Sequence, residues 1–224
     1  MKFTTSKLIR WAGLSAMAAG IIFAGIQPIH PSVNTSAFII TSFKTSMSIF
    51  GLLGITGLYA RQVEETGWLG LVGYLLLTIY YAVQMCISFL ESTILPLLTT
   101  VAPTFVESAL GLANGTGGPM NLGALTTAYS LVSVLYLFGL LLFGIAMFRA
   151  HILPRWAAAL LAISGPMAGI MFTLLPHQLD RLTSMPMGIA MVWLGYALFS
   201  KRQVNSYESL LDQRTAKSEP SKVA

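Results

Sequence analysis

The chain has 224 residues, of which 55% are apolar and only 9% charged, with a net charge of +5. An ordinary soluble domain carries roughly a quarter charged residues, so this composition excludes a soluble enzyme, a disordered regulator and a nucleic-acid-binding module. The 13 basic residues are scattered singly and form no stripe that would follow a nucleic acid, which leaves an integral membrane protein.

A bilayer-crossing helix needs about 20 mostly apolar residues. Six such runs are readable: 8–27, 38–60, 67–90, 122–148, 155–176 and 182–200. The expected fold is therefore all-α, a polytopic transmembrane bundle of six helices over residues 1–200, with a disordered tail over 201–224. The first run begins with Lys2, Lys7 and Arg10, and Trp11 marks its inner end. Its basic start and small residues (Ala16, Ala18, Ala19) also fit a secretory signal, but no convincing cleavage site precedes Gln27, so it is read as an anchor. Gly20 and Ala24 provide a close-contact surface within it. The short outer loop 28–34 holds His30 and begins a sequon at Asn34.

Run two carries Lys44, the one basic residue well inside a span, about 10 Å below the outer end at 1.5 Å per residue. Thr41, Lys44 and Ser48 share a helical face, while Gly51, Gly54 and Gly57 recur at three-residue spacing. An inner loop 61–66 with Arg61 leads to run three, where Gly67, Gly70 and Gly73 repeat that spacing and Trp68 sits at the inner boundary. Tyr80, Gln84, Ser88 and Glu91 then form one stripe at i, i+4, i+8 and i+11. The lone cysteine, Cys86, has apolar neighbours and reads as a buried thiol.

Glu91 is expected to open a long outer loop reaching about Asn121. Its 93–112 portion is apolar, with Pro96 and Pro103 expected to break any long helix, so it reads as an interfacial or re-entrant segment over the outer face. Glu107 lies within it. The Gly115-Thr116-Gly117-Gly118 run has no preceding strand and no following lysine, so it is a loop rather than a phosphate cradle; a second sequon begins at Asn114. Run four adds Thr126, Tyr129, Ser130 and Ser133 in its outer half.

The inner loop 150–154 lies between Arg149 and Arg155, and Trp156 opens run five. Arg61 and Trp68 recur as Arg149 and Trp156 after 88 residues, a match that the common needs of inner turns explain without a repeat. Gly165 and Gly169 form a Gly-x-x-x-Gly pair, with Pro166 expected to kink the helix. His177, Asp180 and Arg181 cluster in the next outer turn, a weak candidate for acid–base chemistry. Trp193, inside run six, is expected to pack internally. Of the basic residues, only Arg181 falls outside if the chain crosses six times, so both termini are expected in the cytoplasm.

Intramembrane polar groups carry the functional reading, because a charge at the bilayer centre costs about 2.5–3.5 kcal/mol on insertion scales. One reading has Lys44 snorkelling outward or pairing with Glu91, with the hydroxyls bonded to their own helices. The other is an outward pocket for a small anionic or zwitterionic ligand, formed by Lys44, Tyr80, Gln84, Ser88, Glu91, Tyr129 and Ser133. No acidic or histidine relay continues inward to suggest a proton path. No catalytic residue, metal or cofactor is assigned.

The segment 57–73 (GLYARQVEETGWLGLVG) resembles an inner loop of small, uncharacterised six-span integral membrane proteins of bacteria, and 149–156, with Leu153-Pro154-Arg155-Trp156, is similar to their second inner loop. The resemblance implies a bacterial plasma membrane and no activity. The leading expectation is a sensing or accessory membrane component whose partners are the lipid bilayer and a small polar ligand or a membrane protein. A small-solute transporter is the alternative, and a membrane-embedded enzyme the third.

Overall fold

The computed structural model describes residues 5–28, 35–174 and 180–200. His30, the Asn34 sequon position, His177 and the tail 201–224 lie outside the described residues, as do the side chains of Asp180 and Arg181. The described chain is α-helical with no strand: α1 Thr5–Ile26, α2 Thr35–Ala60, α3 Val63–Phe89, α4 Leu95–Leu98, α5 Pro103–Asn114, α6 Ala124–Ala150, α7 Arg155–Leu174 and α8 Met185–Phe199. A π-turn, Leu90–Ile94, joins α3 to α4, and a 3₁₀ turn, Asp180–Ser184, leads into α8.

The six long helices form a closed ring in chain order, α1-α2-α3-α6-α7-α8, with α8 returning to α1. Small residues set the spacing. A methyl group added at Gly20 would lie 2.5 Å from Gly188 O, and one at Gly13 would lie 2.8 Å from Gly195 O. The reverse contacts, from Gly188 to Gly20 O and from Gly195 to Gly13 O, are 2.7 and 2.6 Å. These two reciprocal contacts, seven residues apart on each helix, let the α1 and α8 backbones touch, as small residues do where lipid offers no hydrophobic drive for association. On α2, Gly54 and Gly57 abut Ala16 and Ala12 of α1.

One end of the ring carries Arg10, Arg61, Arg149 and Arg155 and is called the basic end; the other, covered by α5, is the α5 end. Trp11, Trp68 and Trp156 are exposed near the basic end. The two arginine turns there differ, since Arg61 is buried and Arg149 exposed. Gly67 interrupts α3 with φ +55°, a backbone conformation that side chains disfavour, so regular α-helix resumes only after it.

Three expectations are corrected. Glu91 does not open a loop: α3 continues through the π-turn and Pro96 to Leu98, giving a candidate span of Val63–Leu98, 36 residues long. Pro96 lacks an N–H and would break a regular helix, but the π-turn shifts the bonding by one residue, with Leu95 N–H donating to Leu90 O, and carries the chain past it. The break comes instead at 99–102, before Pro103 starts α5. Cys86 is exposed rather than buried, and Trp193 is 44% exposed on the outside of the ring. In both cases the next residue in the sequence, Ile87 or Leu194, is in the core, and the helix turn carries Cys86 and Trp193 themselves outward.

Among the described residues, five helices are long and apolar enough to cross a membrane: Lys7–Ile26, Ile39–Ala60, Val63–Leu98, Ala124–Ala150 and Leu182–Phe199; Arg155–Met171 is a shorter apolar helix. α7 runs through Pro166 without ending.

Candidate functional site

The site begins with the stripe on α3. Regular helix from Gly67 to Phe89 keeps Tyr80, Gln84 and Ser88 on one face, and the π-turn sets Glu91 onto the same side, where it is buried. Lys44 meets it from α2: Lys44 Nζ lies 3.6 Å from Glu91 Oε2, with the lysine side chain 15% and the glutamate 1% exposed. From α6, the Tyr129 hydroxyl donates to Glu91 Oε1. Glu91 thus joins α2, the α3–α4 helix and α6 at one point. Its Oε2 makes no hydrogen bond, so that oxygen faces the lysine through charge alone.

The lesser polar groups are satisfied locally. Gln84 Nε2 donates to Ser88 Oγ at 3.0 Å, which occupies Ser88 inside the protein. Ser48 Oγ donates to Lys44 O at 2.9 Å, Ser130 Oγ to Thr126 O at 3.1 Å and Ser133 Oγ to Tyr129 O at 3.2 Å. Hydroxyls in apolar surroundings commonly return to their own helix in this way.

Around this cluster lies a cavity of about 640 Å³. Lys44, Tyr80, Gln84, Glu91, Tyr129 and Ser133 line it; Ser88 is buried behind Gln84 and does not. The structure adds residues that polarity alone gives no reason to single out. Phe23, Tyr80 and Tyr136 form a connected aromatic wall, with ring centroids 6.4 Å apart for Phe23–Tyr136 and 5.5 Å for Tyr80–Tyr136. Gln27, Met47, Gly165, Gly169 and Ser184 are also part of the lining. Among the described residues, Lys44 and Glu91 are the only charged ones in it.

The segment over the cavity is α5. Leu95, Val106, Ala109 and Leu110 make a small separate core with Leu98, Leu122 and Leu125 around them. The α5 C-terminus closes in a Schellman turn, with Gly115 N–H bonded to Leu112 O at 3.1 Å and Thr116 N–H to Gly111 O at 2.9 Å. Gly115 takes the left-handed conformation this turn requires. The turn sets Leu112–Gly115 against the cavity. Glu107 is exposed and takes no part.

Toward the basic end the ring is filled by Leu58, Leu140, Phe143, Met147, Leu161 and Leu194, each at most 1% exposed, and its helices touch. A methyl group at Gly73 would lie 2.4 Å from Phe143 N, one at Gly144 would lie 2.5 Å from Ala162 N, and one at Gly54 would lie 2.7 Å from Ala16 Cα. The cavity therefore occupies only the half of the ring nearer α5. Among the described residues no cluster of three or more His, Cys, Asp or Glu side chains comes together that would hold a metal ion.

The architecture is that of a helical bundle, with helices long and apolar enough to cross a membrane and an ion pair beside an internal cavity. No protein-family model, curated protein or solved structure matches the chain.

Proposed function

We propose that the chain is a multi-pass protein of a bacterial plasma membrane, crossing six times with both termini in the cytoplasm, and that it serves as a non-enzymatic sensing or accessory component by holding a small ligand in the cavity. The observation that carries this reading is the cavity itself, roughly within the 300–1,000 Å³ range of small-molecule sites, with mostly apolar walls and a few convergent polar groups. Lys44, Glu91, Tyr129 and Gln84 are those groups. The packed half beneath the cavity favours holding a molecule over passing it through. The orientation rests on the basic end, where the positive residues gather. The α1–α8 seam supports the first span as an integral part of the ring.

Thermal unfolding of the protein in lipid nanodiscs tests the reading. Against a panel of zwitterionic amino acids, polyols and monoacylglycerols, at least one class raises Tm by about 5–10 degrees, the shift expected of a ligand at about 100 times its Kd. Gln84→Leu removes most of that shift by deleting a polar contact at the cavity wall. If no class shifts Tm, the cavity is not a ligand site. A phosphatase fused to the C-terminus stays inactive on this reading, and an active fusion would reverse the orientation.

A further inference from the structure

The cavity is not sealed at its side. Ser133, Val134 and Phe138 of α6 line it, yet all three are exposed, Val134 by 52% and Phe138 by 49%. A side chain does both only where a cavity runs out to the molecular surface. The helix phase agrees: Val132 and Tyr136 face the interior, whereas Val134 and Phe138 stand on the far side of α6.

The neighbouring helix is α7. At Gly165 an added methyl group would meet Leu137 O at 2.8 Å, so the backbones touch. One turn on, at Gly169, it would meet only the end of the Leu137 side chain at 3.2 Å, and Gly169 is exposed. The two helices separate toward the α5 end, leaving a slot. Apolar residues of that half are exposed on both helices: Leu131 and Val134 on α6, Ile170 on α7. Surroundings of this kind face hydrocarbon in a bundle with membrane-crossing helices.

The charge inventory narrows the occupant. Among the described residues, Lys44 and Glu91 are the only charged ones lining the cavity, and they offset each other across 3.6 Å, so this lining presents no net charge to a ligand. The exposed-lysine picture that suits an anion is thereby removed. Glu91 Oε2 is buried and accepts no hydrogen bond, which leaves an acceptor for a hydroxyl donor. Leaving a buried carboxylate oxygen unbonded is costly, and a donor there recovers stability.

Resting on the ligand-site reading above, we propose that the occupant is an uncharged, hydroxyl-bearing, single-chain amphiphile that enters from the bilayer between α6 and α7. Its head reaches Glu91 Oε2, Lys44 and Gln84, and its chain lies along Val134 and Phe138. A second acyl chain would not fit within about 640 Å³ beside the head.

The test uses the full chain in phosphatidylcholine nanodiscs with three probes: monoolein, sodium oleate and glycerol. Monoolein raises Tm by several degrees while oleate and glycerol do not. Glu91→Gln removes the charge that offsets Lys44, so the preference shifts to oleate. Ser133→Trp fills the slot and abolishes the monoolein shift without altering the ligand-free Tm; Val134→Trp serves the same purpose should the first variant lose its fold. Stabilisation by glycerol equal to that by monoolein would overturn the amphiphile while leaving the cavity a ligand site. Stabilisation of the unaltered protein by oleate above monoolein would overturn the neutral-head assignment in the same way. No shift with these probes or with the wider solute panel would overturn both readings.

Discussion

Lys44→Met lowers the stability of the folded bundle by about 3 kcal/mol, the loss typical when one partner of a buried ion pair is removed. The reason is what remains: a carboxylate 1% exposed, with Tyr129 on one oxygen and nothing on the other. Glu91→Gln costs less, because Lys44 retains 15% exposure beside the cavity and its long stem can carry the ammonium group toward water. The amide introduced at position 91 still accepts the Tyr129 proton. Combining the two substitutions recovers much of the loss, since no uncompensated charge is then buried. Reversible unfolding in mixed micelles, read as a double-mutant cycle, gives a coupling of more than about 1.5 kcal/mol. Additive effects would mean that Lys44 and Glu91 do not act as a pair.

Gly20→Val disrupts the seam between the first and last long helices, costing at least about 2 kcal/mol, at the upper part of the range for overpacking. Even the first added carbon would stand 2.5 Å from Gly188 O and 2.9 Å from Val192 N, both backbone atoms of α8, which cannot swing aside as a side-chain end can. The internal control is Gly25, five residues along the same helix, where an added methyl group meets nothing within 4 Å. Gly25→Ala is neutral or slightly stabilising, because alanine is the better helix former. The same micelle unfolding measurement compares the two. Equal effects would dissolve the argument that backbone contact holds α1 to α8.

The polar stripe was legible in the sequence because polar residues are scarce among these apolar runs. Tyr80, Gln84 and Glu91 fall on one face by spacing alone, and Lys44 is the one charged residue of run 38–60. Six of the seven residues singled out from the sequence line one cavity, and the seventh, Ser88, is hydrogen-bonded to Gln84 just behind it. The aromatic wall was not legible. Phe23 and Tyr136 have the character of any apolar span residue, and only the closing of the ring brings α1 and α6 together across its centre.

The misplacement of Glu91 has a local cause. Proline is a sound signal for the end of a regular helix, but a π-turn just before Pro96 accommodates the missing donor and lets the helix continue. Cys86 and Trp193 fail for a different reason. In water, an apolar environment means the interior, whereas a chain with apolar surfaces on both its core and its outside gives no such contrast. Gly20 and Ala24 were legible as a contact surface, but their partner Gly188, and the pair Gly13 and Gly195, were not, because each contact joins residues at opposite ends of the chain.

A density map of the protein in nanodiscs made from a bacterial lipid extract, by electron cryomicroscopy, addresses the central claim most directly. The account predicts non-protein density inside the ring, in contact with Gln84 and the Lys44–Glu91 pair and continuing between Phe138 and Gly169. A cavity collapsed upon itself, with α6 and α7 closed along their whole length and no molecule beside Glu91, would contradict it.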